Sequence, residues 1–384
     1  MNRWASWIFT IGALLSLTGC WNKYELTQWA FVQAVAIDPA EHNRVRLTTH
    51  FYKPGGGGGL EGTRRPTESF NIRTEGDNIS VAISNISNEL GRTAQWGHIR
   101  IILISDEMAT HQKIKGIIDY FLRDHEPTET ALVAITKGPA GEYLNRKPYI
   151  ESTIGQQLRE IIQSSKRFNG MTRELNLLQT AIALKNQTGI ALLPYMVPAR
   201  GESEPVTMNG VAVFKNYSMI KPELPAESAK YVLMLRNEYE RGVLAFPCEG
   251  DPANRKDTFE HVNVVSSAKI KIQKETVAVK LHVILTGGYG ELQCSTVRSV
   301  SDEARVKQEI TDMLEQEFRK TIALMQSRQL DLLNIGDAVY RQHPDVWRKW
   351  KSTWGKRLSE ATFDYKIDIR MTNTGITKPK PYGS

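Results

Sequence analysis

Cysteine is scarce in this chain: Cys20, Cys248 and Cys294 are the only three among 384 residues. That excludes a disulfide-stapled miniprotein and any four-cysteine zinc site. No apolar run reaches the ~20 residues that a helix needs to cross the hydrocarbon core, so a polytopic membrane protein is excluded as well. Recurrent catalytic patterns are missing. The eight histidines form no H-E-x-x-H or H-x-H pair, and there is no G-x-S-x-G elbow or Walker loop. Gly55 to Gly59 is a glycine run, but it lacks the Lys-Ser/Thr and the strand-to-helix setting of a phosphate cradle. With 49 Lys and Arg against 42 Asp and Glu, the net charge is +7, a mild bias for this length and below what a nucleic-acid-binding domain carries. The residues point to a protein that is not an enzyme, with no catalytic set, metal, cofactor or nucleic acid.

What is present begins at the N-terminus. Met1-Asn2-Arg3 is a short positive start, and Trp4 to Thr18 is a run of 15 apolar or small residues without charge. That fits the h-region of an export signal. Leu17-Thr18-Gly19-Cys20 resembles the lipobox of bacterial lipoproteins. The resemblance implies that residues 1–19 are a cleaved signal peptide, that the Cys20 sulfur carries diacylglycerol, and that its new amine is acylated. Two or more acyl chains make a stable anchor. The mature chain would have 365 residues and a net charge of +6, tethered to the outer leaflet of the membrane. Cys248 and Cys294 remain, 46 residues apart. An export compartment permits a disulfide between them, worth about 4 kcal/mol by loop closure; two buried free thiols are equally compatible.

Along the mature chain the pattern is mixed α/β without repeats. Ala30 to Asp38 reads as a buried strand and Val45 to Tyr52 as its hairpin partner. Phe70 to Thr74 is a short strand, and Asp77 or Asn78 caps a helix with Ile79, Ile83, Ile86 and Leu90 on one face. His98 to Ser105, a helix carrying Ile114, Ile117, Ile118 and Phe121, and Ala131 to Thr136 make a βαβ unit. Further helices are predicted at Ile154 to Ile162 and Leu175 to Leu184. The polar stretch Pro198 to Pro205 marks a domain boundary. Beyond it come the strand Val211 to Lys215, a helix from Pro225 to Arg236, the strand Gly242 to Pro247, and two alternating strands at Val262 to Ile272 and Val277 to Leu285. A long helix opens at Ser301-Asp302-Glu303, and Thr362 to Met371 is the closing strand. The expected fold class is α+β, mixed α/β and multidomain. Residues 20–199 hold a mixed sheet with a βαβ unit, residues 206–375 hold an antiparallel sheet packed by a long helix, and 376–384 form a flexible tail.

Trp347, Trp350 and Trp354 fall on one helical face, interleaved with Arg348, Lys349 and Lys351. Two readings are open. The aromatic face is an interface for lipid headgroups or a membrane partner, or it is core with the basic face in water.

Several segments taken in order resemble one family. They are CWNKYEL from Cys20, FVQAVAID from Phe31, HIRIILI from His98, DYFLRD ending at Asp124, and NGVAVF from Asn209. The C-terminal part adds DLLNIG from Asp331, Tyr340-Arg341 with Pro344, and Trp347 and Trp354. The chain is similar to the Ger(x)C family, the lipoprotein C subunits of spore nutrient germinant receptors. That resemblance implies a non-catalytic, lipid-anchored subunit on the spore inner membrane, with an A-type and a B-type membrane subunit as partners and a role in the response that commits a dormant spore to germinate on sensing a nutrient. Only Cys20 carries over as a functional position. A solute-binding lipoprotein of an importer is the alternative, and it requires repeated βα units in both halves.

Overall fold

The computed structural model describes residues 29–52, 69–123, 129–199, 206–248, 253 and 255–372, together with Trp4 and Trp7. Cys20, the Gly55 to Gly59 run and the 376–384 tail lie outside the described residues.

The first sheet grows outward from strands that are buried on both faces. β1 (Trp29–Pro39), β5 (Ile101–Ser105), β6 (Leu132–Thr136) and β7 (Ile190–Pro198) run parallel at its centre. All five residues of β5 and of β6 are buried, as expected where both faces are covered. On one side, β2 (Val45–Tyr52) and β3 (Ser69–Gly76) continue antiparallel from β1, and the short β4 (Thr93–Gln95) also pairs with β1. On the other side, β8 (Val206–Lys215) and β9 (Ser218–Leu224) continue antiparallel from β7.

The period-2 alternation of β1 explains the layers. Val35 and Ile37 face a core shared with α1 (Ile79–Leu90), α2 (Asp106–His111), α3 (Lys115–Arg123) and, beyond a short α4 (Gly141–Leu144) and α5 (Ile154–Ser164), with α6 (Leu177–Leu184). Ala34 and Ala36 face the opposite core with Leu158 and Ile162 of α5. Caps fix the helix starts: Asn78 Oδ1 accepts from the Val81 N–H of α1 at 3.0 Å, and Asn176 with Gln179 forms a capping box on α6.

α7 (Ala226–Leu235) leads to the second sheet, ordered β10 (Leu244–Pro247), β11 (Lys256–Gln273), β12 (Thr276–Tyr289) and β13 (Thr362–Met371). Across it lies the 28-residue α8 (Val300–Ser327), capped by Ser299 and Asp302. Val306, Ile310, Leu314, Phe318, Ile322 and Met325 of α8 are buried, each worth about 1.5–3 kcal/mol against an exposed position. α9 (Ile335–Gln342), α10 (Pro344–Trp350) and α11 (Trp354–Ser359) complete the crossover to β13.

Two features differ from the sequence expectation. β13 pairs parallel with β12, because the helical crossover carries the chain back to the end of the sheet at which β12 begins; the β10–β12 pairings are antiparallel as expected. The 199–205 stretch joins two adjacent strands of one sheet, β7 and β8, so the first sheet extends to Leu224. The largest core accordingly holds Ile190, Leu192, Val211, Val213 and Leu224 of the first sheet beside α7, the second sheet and α8.

Candidate functional site

Where the two sheets meet, charged side chains tie one to the other. Glu238, in the segment after α7, sits between Arg173 (Nε to Oε2, 2.7 Å) and Arg236 (Nη2 to Oε1, 2.9 Å). Arg173 also donates to the Leu192 carbonyl of β7 at 2.9 Å, and Arg236 to the Leu332 carbonyl before α9 at 2.8 Å. This cluster floors a groove of about 640 Å³. Its walls come from Ile182 and Lys185 on one side and Asp337 and Tyr340 on the other. Ile182 and Tyr340 are exposed.

Burial alone would push the Glu238 carboxyl up, but Arg236 and Arg173 together hold it below its usual value. Burial draws the Arg173 guanidinium down to about 10, against the pull of Glu238, so it remains charged at neutral pH. A carboxyl with a depressed folded value stabilises the protein above its unfolded value and loses that contribution as the pH falls through the folded one. Glu238→Gln is therefore expected to cost about 3 kcal/mol at neutral pH, the low end for a partly solvated ion cluster. The wild type's advantage should disappear as the pH drops below the ordinary 4.5. Thermal melts of both proteins across the acid range check this; a pH-independent difference would dismiss the ion cluster as its cause.

Next to the groove, Asp331 is buried and accepts hydrogen bonds from the Ile335 N–H (2.9 Å), the Gly336 N–H (2.6 Å) and Trp354 Nε1 (3.0 Å). Burial pushes its carboxyl up, and the three donors pull it back. A β-carbon on Gly336 would fall 2.8 Å from the Trp347 ring, so only glycine lets α9 approach that indole. Trp347 and Trp354 meet edge to face with centroids 5.2 Å apart, and Trp347 Nε1 donates to Gln187 Oε1 of the turn before β7 at 3.3 Å.

Family models named for the spore germination protein N-terminal domain and for the spore germination B3/GerAC-like C-terminal domain match residues 22–198 and 209–375. The chain belongs to the Ger(x)C spore germination family. Spore germination protein KC of Bacillus subtilis strain 168 is 23% identical over 391 residues, covering 95% of this chain and 94% of that protein. Spore germination protein B3 of the same organism is 23% identical over 371 residues, covering 94% and 96%. The crystal structure of the GerBC protein superimposes with a TM-score of 0.58 at 18% identity, over 88% of this chain and 97% of that one. The mixed α/β architecture of two sheets and a long helix is that of GerBC. Ger(x)C proteins are germinant receptor subunits and not a known enzyme family.

Several of the described residues that carry the Ger(x)C resemblance are framework. Asp38 accepts from the Ala140 and Gly141 N–H groups at 2.6 and 2.9 Å, fixing the loop after β6. Gly210 has φ +84° and no room for a β-carbon against the Leu224 carbonyl. Trp347, Trp350 and Trp354 are buried, at 2%, 6% and 5% exposure. The aromatic face is thus core, which corrects the reading of these three as an exposed contact surface; a stripe of indoles outside would leave several hundred Å² of apolar surface wet. The charged face between them points to solvent. Gln187, which joins that helix to the first sheet, carried no sequence signal: it is one polar residue in a turn.

Cys248 and Cys294 are brought together by the end of β10 and the loop after β12, with Cα atoms 6.3 Å apart, a separation that a disulfide spans. Asp257 orders that loop by accepting from the Gln293, Cys294 and Ser295 N–H groups at 2.7, 3.1 and 3.1 Å.

Proposed function

We propose that this chain is the lipid-anchored, non-catalytic C subunit of a spore germinant receptor, held at the outer leaflet of the spore inner membrane through Cys20. It serves the nutrient-triggered germination response by contact with the A-type and B-type membrane subunits. The observation that carries this reading is the match of both halves, in order, to the Ger(x)C spore germination family. The lipobox-like Leu17 to Cys20 supplies the anchor. Among the described residues no helix is long and apolar enough to cross a membrane. Tethering raises the effective concentration of the partners' outer loops without adding a contact. A Cys248–Cys294 disulfide suits an exported protein. The importer alternative needs βα units in both halves, whereas the second sheet has a single parallel pair.

Cys20→Ala tests the anchor. The substituted protein should leave the spore membrane fraction in a strain lacking the membrane subunits, with its melting temperature unchanged. Membrane retention equal to wild type in that strain, by a variant whose signal peptide has been cleaved, would show that the lipid is not what holds it.

A further inference from the structure

Residues 341–360 hold six of the chain's Lys and Arg residues but only Asp345 and Glu360 as acids, a local net charge of +4 in a chain whose total is +7. More than half of the excess charge therefore sits on α10, α11 and their flanks. With the tryptophans turned inward, Arg341, Arg348, Lys349, Lys351 and Lys356 are all exposed. Arg348 pairs with Asp345 on its own helix. Arg341, Lys349 and Lys356 have no carboxylate partner among the described residues. Such a face offers charge without an apolar wedge, the chemistry of a surface that rests on anions and does not insert.

The fold puts this face at one particular edge. The four parallel strands of the first sheet all begin along the same edge, so Trp29 of β1 and Ile190 of β7 lie at the same end of it. The turn preceding Ile190 holds Gln187, whose Oε1 accepts from Trp347 Nε1 (3.3 Å) and from Lys351 Nζ (3.4 Å). Exposed Lys185 lies in that turn, and exposed Lys215 is opposite Ile190 in register. From β1 to β7 are three strand spacings, about 14 Å. Trp29 is nine residues beyond Cys20, a reach of at most about 32 Å. The edge that carries the basic face is thus the edge that a lipid on Cys20 holds close to the bilayer.

We propose that the exposed cations of residues 341–360 dock on anionic phospholipid headgroups and set the orientation of the protein on the membrane. The placement rests on the lipid anchor at Cys20; the charge of the surface does not. Basic clusters beside a membrane attachment point are drawn to anionic headgroups within a Debye length, and a lipid anchor plus a polybasic surface makes a two-signal attachment.

The experiment uses the mature chain with Cys20→Ala, so that no acyl chain contributes, sedimented with vesicles of phosphatidylcholine or of an equal mixture with phosphatidylglycerol. Binding only to the anionic vesicles, weakening with added salt, is expected. Lys349→Gln with Lys351→Gln should reduce it about tenfold or more. Lys137→Gln, which removes the exposed lysine directly after β6 at the opposite end of the parallel strands, should leave it unchanged. Because the lipid is absent, a failure of the Cys20 anchor would not alter these outcomes. Binding to neither vesicle, equal binding to both, or equal loss in the two variants would overturn the proposal. So would loss of the membrane subunits by Lys349→Gln with Lys351→Gln while vesicle binding stays intact, which would make the face a protein interface.

Discussion

Trp347→Ala is expected to destabilise the protein by about 3–5 kcal/mol and to lower its melting temperature by roughly 4–7 °C, the entropy of unfolding a cooperative unit of this length setting the conversion. The ring is 2% exposed, stacks on Gly336, meets Trp354 edge to face, and donates Nε1 to Gln187. Removing it opens a cavity between α9 and α11 and leaves the Gln187 turn without its donor. The buried Asp331 carboxylate, held by Trp354 and the start of α9, then sits beside a gap. Lys349→Ala, on the exposed side of the same helix, should change stability by less than about 0.5 kcal/mol. Thermal melts of the two variants decide between core and contact. A Trp347→Ala protein that melts normally but no longer co-purifies with the proposed membrane subunits would place the ring at an interface.

Separating the chain between residues 199 and 206 is expected to leave neither fragment able to fold alone. The cut falls where the two family models part, at 198 and 209, but it divides one sheet. β7 would lose eight registered pairings with β8 and present an unpaired, apolar edge, a template for aggregation. The C-terminal fragment would carry β8 and β9 with no sheet to join. It would also lose Ile190 and Leu192 from its core, and the Arg173 and Leu192 ends of the ion cluster. Solubility and cooperative melting of each fragment, alone and coexpressed, measure this. A sharp melt from either fragment by itself would show that the halves are independent folding units.

How much of this was legible before the fold is clearest from individual elements. The β1–β2 hairpin, the β5–α3–β6 unit and α8 each announce themselves by local periodicity, since the pattern that buries a face is written within one segment. The two cysteines were legible as a pair, but whether they could meet was not. β8 was visible as a strand, yet nothing local says which sheet it joins; that follows from the long-range register of β7 with β8. In the same way β13 reads as an alternating strand, while its parallel pairing depends on where the α8–α11 crossover returns. The tryptophans show the difference most sharply. Spacing alone put Trp347, Trp350 and Trp354 on one face and the cations on another. Periodicity defines faces relative to one another and not relative to the core. The direction was set by what waits on the inner side: Gly336, the Asp331 carboxylate and the Gln187 amide, drawn from segments up to 160 residues apart. Their packing and hydrogen bonds form only in the assembled fold, and that is why the tertiary structure turned the indoles inward and left the basic face outside.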